Sequence, residues 1–99
     1  MHKPIRWSSF AEKDFSDILH FLNSRWSNLV ASNFILEIES CISLVQKTPE
    51  QFPLFSKKHQ IRKCVVTRHN TLYFRITTTN IEILRLYDTR QDPKSLQFK

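Results

Sequence analysis

His59, His69 and Tyr87 are the conventional proton donors and acceptors in the second half of this chain, and Lys63, Arg68, Arg85 and Arg90 stand among them. A group that moves a proton beside cations that stabilise negative charge is the minimum for acid–base work on an anionic substrate. Each candidate also has a plainer reading. A tyrosine inside a strand is more often a packed or surface aromatic than a catalyst. A histidine in a turn is more often simply solvated. The spacings HExxH, GxSxG, the P-loop and zinc-ligand sets do not occur, so no metal or cofactor is expected.

The charge balance fits an anionic partner. Fifteen Lys and Arg against nine Asp and Glu leave +6 over 99 residues, a field that attracts nucleic acid, a nucleic-acid enzyme or an acidic protein. The length predicts one domain over 1–99. With 40% hydrophobic residues, including eight Phe and two Trp, the chain reads as globular. Cys41 and Cys64 show no metal-ligand spacing and read as buried free thiols. The opening MHKPIRW turns polar before an apolar signal region develops. No uninterrupted apolar run approaches the roughly 18 residues of a membrane span, so the expected location is the cytoplasm, without a membrane partner.

The elements that must position these residues follow from periodicity. Ile5 to Trp7 is compatible with a first strand. Ser9-Phe10-Ala11-Glu12 has the form of a capping box. Phe15, Ile18, Leu19 and Leu22 then share one helical face, predicting a helix over about 10–24. Ser24 to Asn28 reads as a polar corner with Trp26 tucked beneath it. Val30, Phe34, Ile38, Cys41, Ile42 and Val45 form a second helical stripe, stopped at Pro49. The two helices make an antiparallel hairpin.

After a loop at 49–60, the period changes. Ile61–Thr67, Thr71–Thr78 and Ile81–Asp88 read as strands of an antiparallel meander with short turns. The chain has no glycine, so Asn70 and Asn80 are the expected carriers of positive φ. Alternation places Leu72, Phe74, Ile76, Leu84 and Leu86 under the helices. Tyr73, Arg75, Arg85 and Tyr87, with Lys63, then fall on an open, cationic and aromatic face.

The order strand, helical hairpin, three-stranded meander resembles the RelE/ParE toxin superfamily of type II toxin–antitoxin systems. The resemblance is carried by Trp7, Ala11 and Ile18, by Asn33-Phe34 with Ile38, Ile42 and Leu44 ahead of Pro49, and most of all by LYFRI at 72–76, IEILRLYDTRQDP at 81–93 and Leu96. It implies an α+β fold, β-α-α-β-β-β, with the hairpin packed on a curved antiparallel sheet. Members divide between RelE-like ribosome-dependent mRNA endonucleases and ParE-like inhibitors of DNA gyrase, associated with plasmid stabilisation. Lys63 and Arg90 match family positions. Asn70 stands where cleaving members often place an arginine, with Arg68 nearby, and Leu96 stands where they place a catalytic tyrosine. These departures favour the ParE-like branch.

The resemblance therefore implies a toxin held by a cognate antitoxin, meeting operator DNA only through the antitoxin complex. On the gyrase branch, Lys63, Arg85, Tyr87 and Arg90 would contact the target. On the ribosome and mRNA branch, Lys63, Arg68, Arg90 and either Tyr87 or His69 would share the chemistry. A third branch is a degenerate toxin that serves only as antitoxin or autoregulatory partner. Antitoxins of this kind carry a disordered acidic segment that orders on the toxin. Phe21, Trp26, Phe52 and Phe55 lie outside the main stripes and are the expected lining of its groove, or else complete a small core.

Overall fold

The structure, a computed structural model, describes residues 2–90 and 96–98. Its order is β1 (Ile5–Trp7), α1 (Ser9–Arg25), α2 (Asn28–Lys47), a 3-10 turn at Pro49–Gln51, β2 (Leu54–Ser56), β3 (Ile61–Thr67), β4 (Asn70–Ile76) and β5 (Ile81–Asp88). The α+β arrangement implied by the resemblance is present, with both helices on a five-stranded sheet ordered β1-β5-β4-β3-β2. Strands β2 to β5 pair antiparallel. β1 joins β5 in parallel, which makes the sheet mixed. β2 lies within the segment read as loop; at three residues it is too short to show an alternation.

Each helix starts on a serine cap. Ser8, not Ser9, caps α1, its hydroxyl accepting from the Ala11 amide at 3.1 Å. Ser27 caps α2 by accepting from the Val30 amide at 3.2 Å. Each bond satisfies one of the donors that a helix start leaves unpaired. The α2 stripe Ala31, Phe34, Ile38, Cys41 and Val45 is buried against the sheet. By length and mean hydropathy alone this helix would suffice to cross a membrane, although Glu37 and Glu39 interrupt its apolar run. Here its apolar stripe is used on the sheet.

Cys41 of α2 and Cys64 of β3 face one another in that layer and are joined as a disulfide. The expectation of two free thiols is corrected: the helical stripe and the strand alternation aim both sulfurs at the same point. Trp26 is also corrected. It is 69% exposed at the hairpin tip rather than tucked beneath it, because it follows the last turn of α1 as its C-cap.

The largest departure is one of parity. Tyr73 pairs with Arg85 and Phe74 with Ile83, so Leu84 is an extra residue in β5. An inserted residue in one strand of an antiparallel pair reverses which face later side chains occupy. Ile81, Ile83 and Leu86 accordingly join Leu72 and Phe74 under the helices. Leu84 instead joins Ile61, Tyr73 and Tyr87 on the opposite face.

That opposite face is not the open cationic surface expected from alternation. Leu96 and Phe98 lie over it, and Phe98 stands 5.4 Å from the Tyr73 ring and 5.9 Å from the Phe55 ring. Tyr73 and Tyr87 are buried. Apolar surface left uncovered on the sheet is large enough to recruit the chain's own C-terminal residues. Residues 91–95, which include Gln91-Asp92-Pro93 of the family-like ending, lie outside the described residues.

Burial holds the Tyr73 phenol above its ordinary range, with Tyr87 beside it adding to the effect. A phenol raised on folding contributes stability that is complete below its unfolded value near 10 and lost as the pH climbs through the folded value. Ending the chain after Ser95 should bring the Tyr73 titration back down toward the ordinary range. Ultraviolet titration of tyrosinate checks this, and an unchanged midpoint would show that the tail does not cover the ring.

Turn chemistry also differs from expectation. The positive φ among the described residues falls at Gln60 (55°), where the Gln60 side chain donates to the Lys57 carbonyl at 2.7 Å. Asn70 and Asn80 do not carry it. The turn ending at Asn80 is held instead by Thr77, whose Oγ1 accepts from the Asn80 amide at 3.0 Å and donates to its carbonyl at 2.9 Å.

Candidate functional site

Beyond Ile83 the outer edge of β5 has no strand beside it among the described residues, because β1 ends at Trp7. The start of α1 takes over that edge. The Ser8 amide donates to the Ile83 carbonyl at 2.9 Å, and its hydroxyl donates to the Leu84 carbonyl at 2.9 Å. Two turns further on, Asp14 accepts from the Leu86 amide at 3.0 Å. The edge groups that β1 leaves unpaired are thus satisfied by Ser8, the α1 cap, and by Asp14.

The same carboxylate holds Arg85 in a bidentate pair, at 2.7 Å to Nε and 3.0 Å to a terminal nitrogen. The remaining arm of Arg85 donates to the Gln97 carbonyl at 2.7 Å, which ties down the C-terminal segment. The guanidinium also stands 5.3 Å from the Phe10 ring centre and 5.5 Å from that of Tyr87. Hydrogen bonding to Asp14 keeps Arg85 protonated beyond its ordinary value, against the opposing effect of burial. Both side chains are about five-sixths buried, at 15% and 16% exposure.

A groove of about 860 Å³ runs from this clamp to the hairpin tip. One wall is the α1 stripe Asp14, Asp17, Ile18 and Phe21; the other is the α2 stripe Val30, Asn33, Phe34 and Glu37. These are the i, i+3, i+4, i+7 positions of each helix. The floor is the end of β5 with the β3–β4 turn, contributing Leu86, Tyr87, Asp88, Arg90, Thr67 and His69. The Thr89 amide donates to the His69 carbonyl at 2.8 Å, which fixes that turn to the strand end.

Arg90 is exposed but engaged. Its Nε and a terminal nitrogen donate to Asp88 at 3.0 and 2.7 Å. That guanidinium holds the Asp88 carboxyl below the usual carboxylate range, with burial opposing and His69 assisting.

The groove brings together His69, Arg85, Tyr87 and Arg90 from the expected site, and Phe21 and Trp26 from the expected antitoxin lining. The other candidates lie apart. Lys63 shares the Tyr73 face of the sheet with Arg85 but stands on β3, two strands away, and does not line the groove. Arg68 is exposed in the β3–β4 turn. His59 is in the turn before β3, its amide donating to Ser56 at 3.2 Å. Phe52 packs edge-on against Phe74 at 5.8 Å in the core, and Phe55 meets Tyr73 at 4.8 Å on the far face. Among the described residues no cluster of His, Cys, Asp and Glu could hold a metal.

Sequence reading passed over Asp14, Asp17 and Glu37. The signal was present: Asp14, Ile18 and Phe21 share a stripe at i, i+4, i+7, which puts Asp14 in line with apolar residues of the groove.

Residues 5–93 match the family described as the ParE toxin of the type II toxin–antitoxin system, parDE. The chain belongs to the ParE toxin family. Solved structures similar to this ParE-family toxin carry the same fold. A chain of the chromosomal ParDE toxin–antitoxin system from P. aeruginosa superposes with a TM-score of 0.74 at 19% identity, covering 87% of this chain and 95% of that one. A YoeB/ParE toxin from Agrobacterium tumefaciens gives 0.63 at 13% identity, with 86% and 97% covered. A chain of the E. coli DinJ–YafQ toxin–antitoxin complex gives 0.60 at 13% identity, with 91% and 96% covered. No curated protein sequence matches. At these identities the similarity establishes fold; the family match establishes the toxin class.

Proposed function

We propose that this ParE-family toxin inhibits DNA gyrase in the cytoplasm and is neutralised by a cognate antitoxin, meeting operator DNA only within the antitoxin complex. The observation that carries this reading is the engagement of the groove cations. Cleavage of RNA needs cations at the scissile phosphate and groups that take and return a proton. Here Arg85 is paired to Asp14 and Arg90 to Asp88. Tyr87 is buried beneath the tail, and Lys63 stands on β3, two strands away from Arg85. This arrangement favours a surface that binds a protein target over one that performs in-line cleavage.

Of the residues assigned to target contact, Arg90 and Lys63 reach solvent, while Arg85 and Tyr87 build the surface beneath them. The antitoxin assignment is supported by the relatives, since the P. aeruginosa structure is of a ParDE system and the E. coli one is a complex of toxin with antitoxin.

Purified toxin added to gyrase should abolish supercoiling, and equimolar antitoxin should restore it. Primer extension on transcripts from intoxicated cells should show no cuts phased to the ribosomal A site. Untouched supercoiling together with phased cuts would replace this reading with the mRNA endonuclease. Unimpeded growth on expression without antitoxin would leave only the degenerate partner.

A further inference from the structure

The hairpin groove has a local charge opposite to that of the chain around it. The polypeptide carries +6, yet among the described residues the groove sets Asp14, Asp17, Glu37 and Asp88 against Arg85 and Arg90. Those two arginines are consumed by Asp14 and Asp88. Among the described residues Asp17 is joined to Lys13 alone, in an exposed pair at 2.8 Å, an interaction that water and salt largely cancel. Glu37 has no ion pair or hydrogen-bond partner among the described residues. Two carboxylates, one on each helix, therefore flank the groove with little to neutralise them.

Between them lies apolar surface that the fold leaves uncovered. Phe21 is half exposed and Trp26 is more than two-thirds exposed. The α1 wall runs from Asp14 to Leu22, roughly 12 Å at 1.5 Å per residue. A helix of two to three turns matches that length, with its apolar side chains entering at i, i+3, i+4 and i+7.

We propose that this groove receives a short amphipathic helix of the antitoxin whose inserted face is apolar and whose flanks carry lysine or arginine opposite Asp17 and Glu37. The proposal rests on the antitoxin reading above for the identity of the chain that supplies the helix. It reverses, at this groove, the expectation that an acidic segment lines up with Phe21 and Trp26. An acidic stretch of the same partner would find its cations elsewhere, at positions such as Lys57, Lys58 and Arg68, all exposed and outside the groove.

The test uses the full chain and two labelled peptides of about 14 residues, roughly four helical turns. Both have the same leucine and tryptophan pattern, one flanked by lysines and the other by glutamates. Fluorescence anisotropy should show the lysine peptide binding at least about tenfold more tightly, a difference of about 1.4 kcal/mol. Net charge alone would give the opposite order on a +6 protein. Glu37→Lys should erase or invert the preference, and Trp26→Ala should weaken both peptides. Both residues are exposed, so circular dichroism should be unchanged. Equal or tighter binding of the glutamate peptide, binding of neither, or a preference indifferent to Glu37→Lys would overturn the proposal.

In cells, the Glu37→Lys toxin should remain toxic and escape its antitoxin. Full neutralisation of that variant would also overturn the proposal. Absence of toxicity in the wild-type chain would instead defeat the function proposed above and leave the peptide result standing.

Discussion

Replacing Asp14 with alanine should cost about 3 kcal/mol of folding stability, the low end of what breaking a buried ion pair costs. Two losses combine. The Arg85 guanidinium, 15% exposed, keeps its charge but loses the bidentate partner at 2.7 and 3.0 Å. The Leu86 amide, on the edge that β1 leaves open, loses its acceptor at 3.0 Å. An unpaired buried donor costs about 1–3 kcal/mol by itself. Arg85→Met should be milder, because it removes the charge while keeping an apolar stem against Phe10 and Tyr87. The double variant should then lie close to Asp14→Ala, less than the sum of the two singles, since both act on one contact. Urea midpoints for the four proteins test this. A loss below about 1 kcal/mol for Asp14→Ala would show that solvent already serves both groups.

Asp14 also marks where reading the sequence succeeded and where it stopped. The two helices were legible because Phe15–Leu22 and Val30–Val45 repeat at helical spacing over several turns. The meander was legible because β-branched and aromatic residues cluster between short polar breaks. These are local properties. The bulge at Leu84 is not, since IEILRLYD alternates as well with the extra residue as without it. Only the pairing partner reveals the shift, and with it Ile83 and Leu84 exchange faces. The candidate site inherited that error. Arg85 was expected on an open face because its neighbours alternate, yet the edge left by a three-residue β1 brings α1 close enough for Asp14 to claim it.

Tail burial was illegible for a similar reason. Nothing within Leu96 to Phe98 states that Tyr73 and Tyr87 need covering. That need arises when the sheet places Ile61, Tyr73, Leu84 and Tyr87 side by side. The groove was half legible. Phe21 and Trp26 stood out as aromatics off the main stripes, whereas the acidic rim emerged once two helices faced each other.

Phe74→Ala should be the most destabilising single core substitution of the meander, at about 4 kcal/mol. Phe74 is fully buried on the central strand β4, flanked by β3 and β5. Its ring meets Phe52 edge-on at 5.8 Å, and its cross-strand partners are Arg62 and Ile83. Truncation opens a cavity where neighbouring strands cannot collapse, since their spacing is fixed by hydrogen bonds on both sides. Phe74→Leu keeps much of the volume and should lose considerably less. Phe55→Ala is the informative contrast. Its ring also touches an aromatic partner, Tyr73 at 4.8 Å, but it is 43% exposed, so only part of the transfer free energy is at stake. Chemical denaturation should therefore rank Phe74→Ala well below Phe74→Leu, with Phe55→Ala nearest wild type. If Phe55→Ala proved as damaging as Phe74→Ala, the aromatic cluster under the tail would be a second core in its own right. The tail would then be a permanent part of the fold, and the face it covers would be closed to any partner.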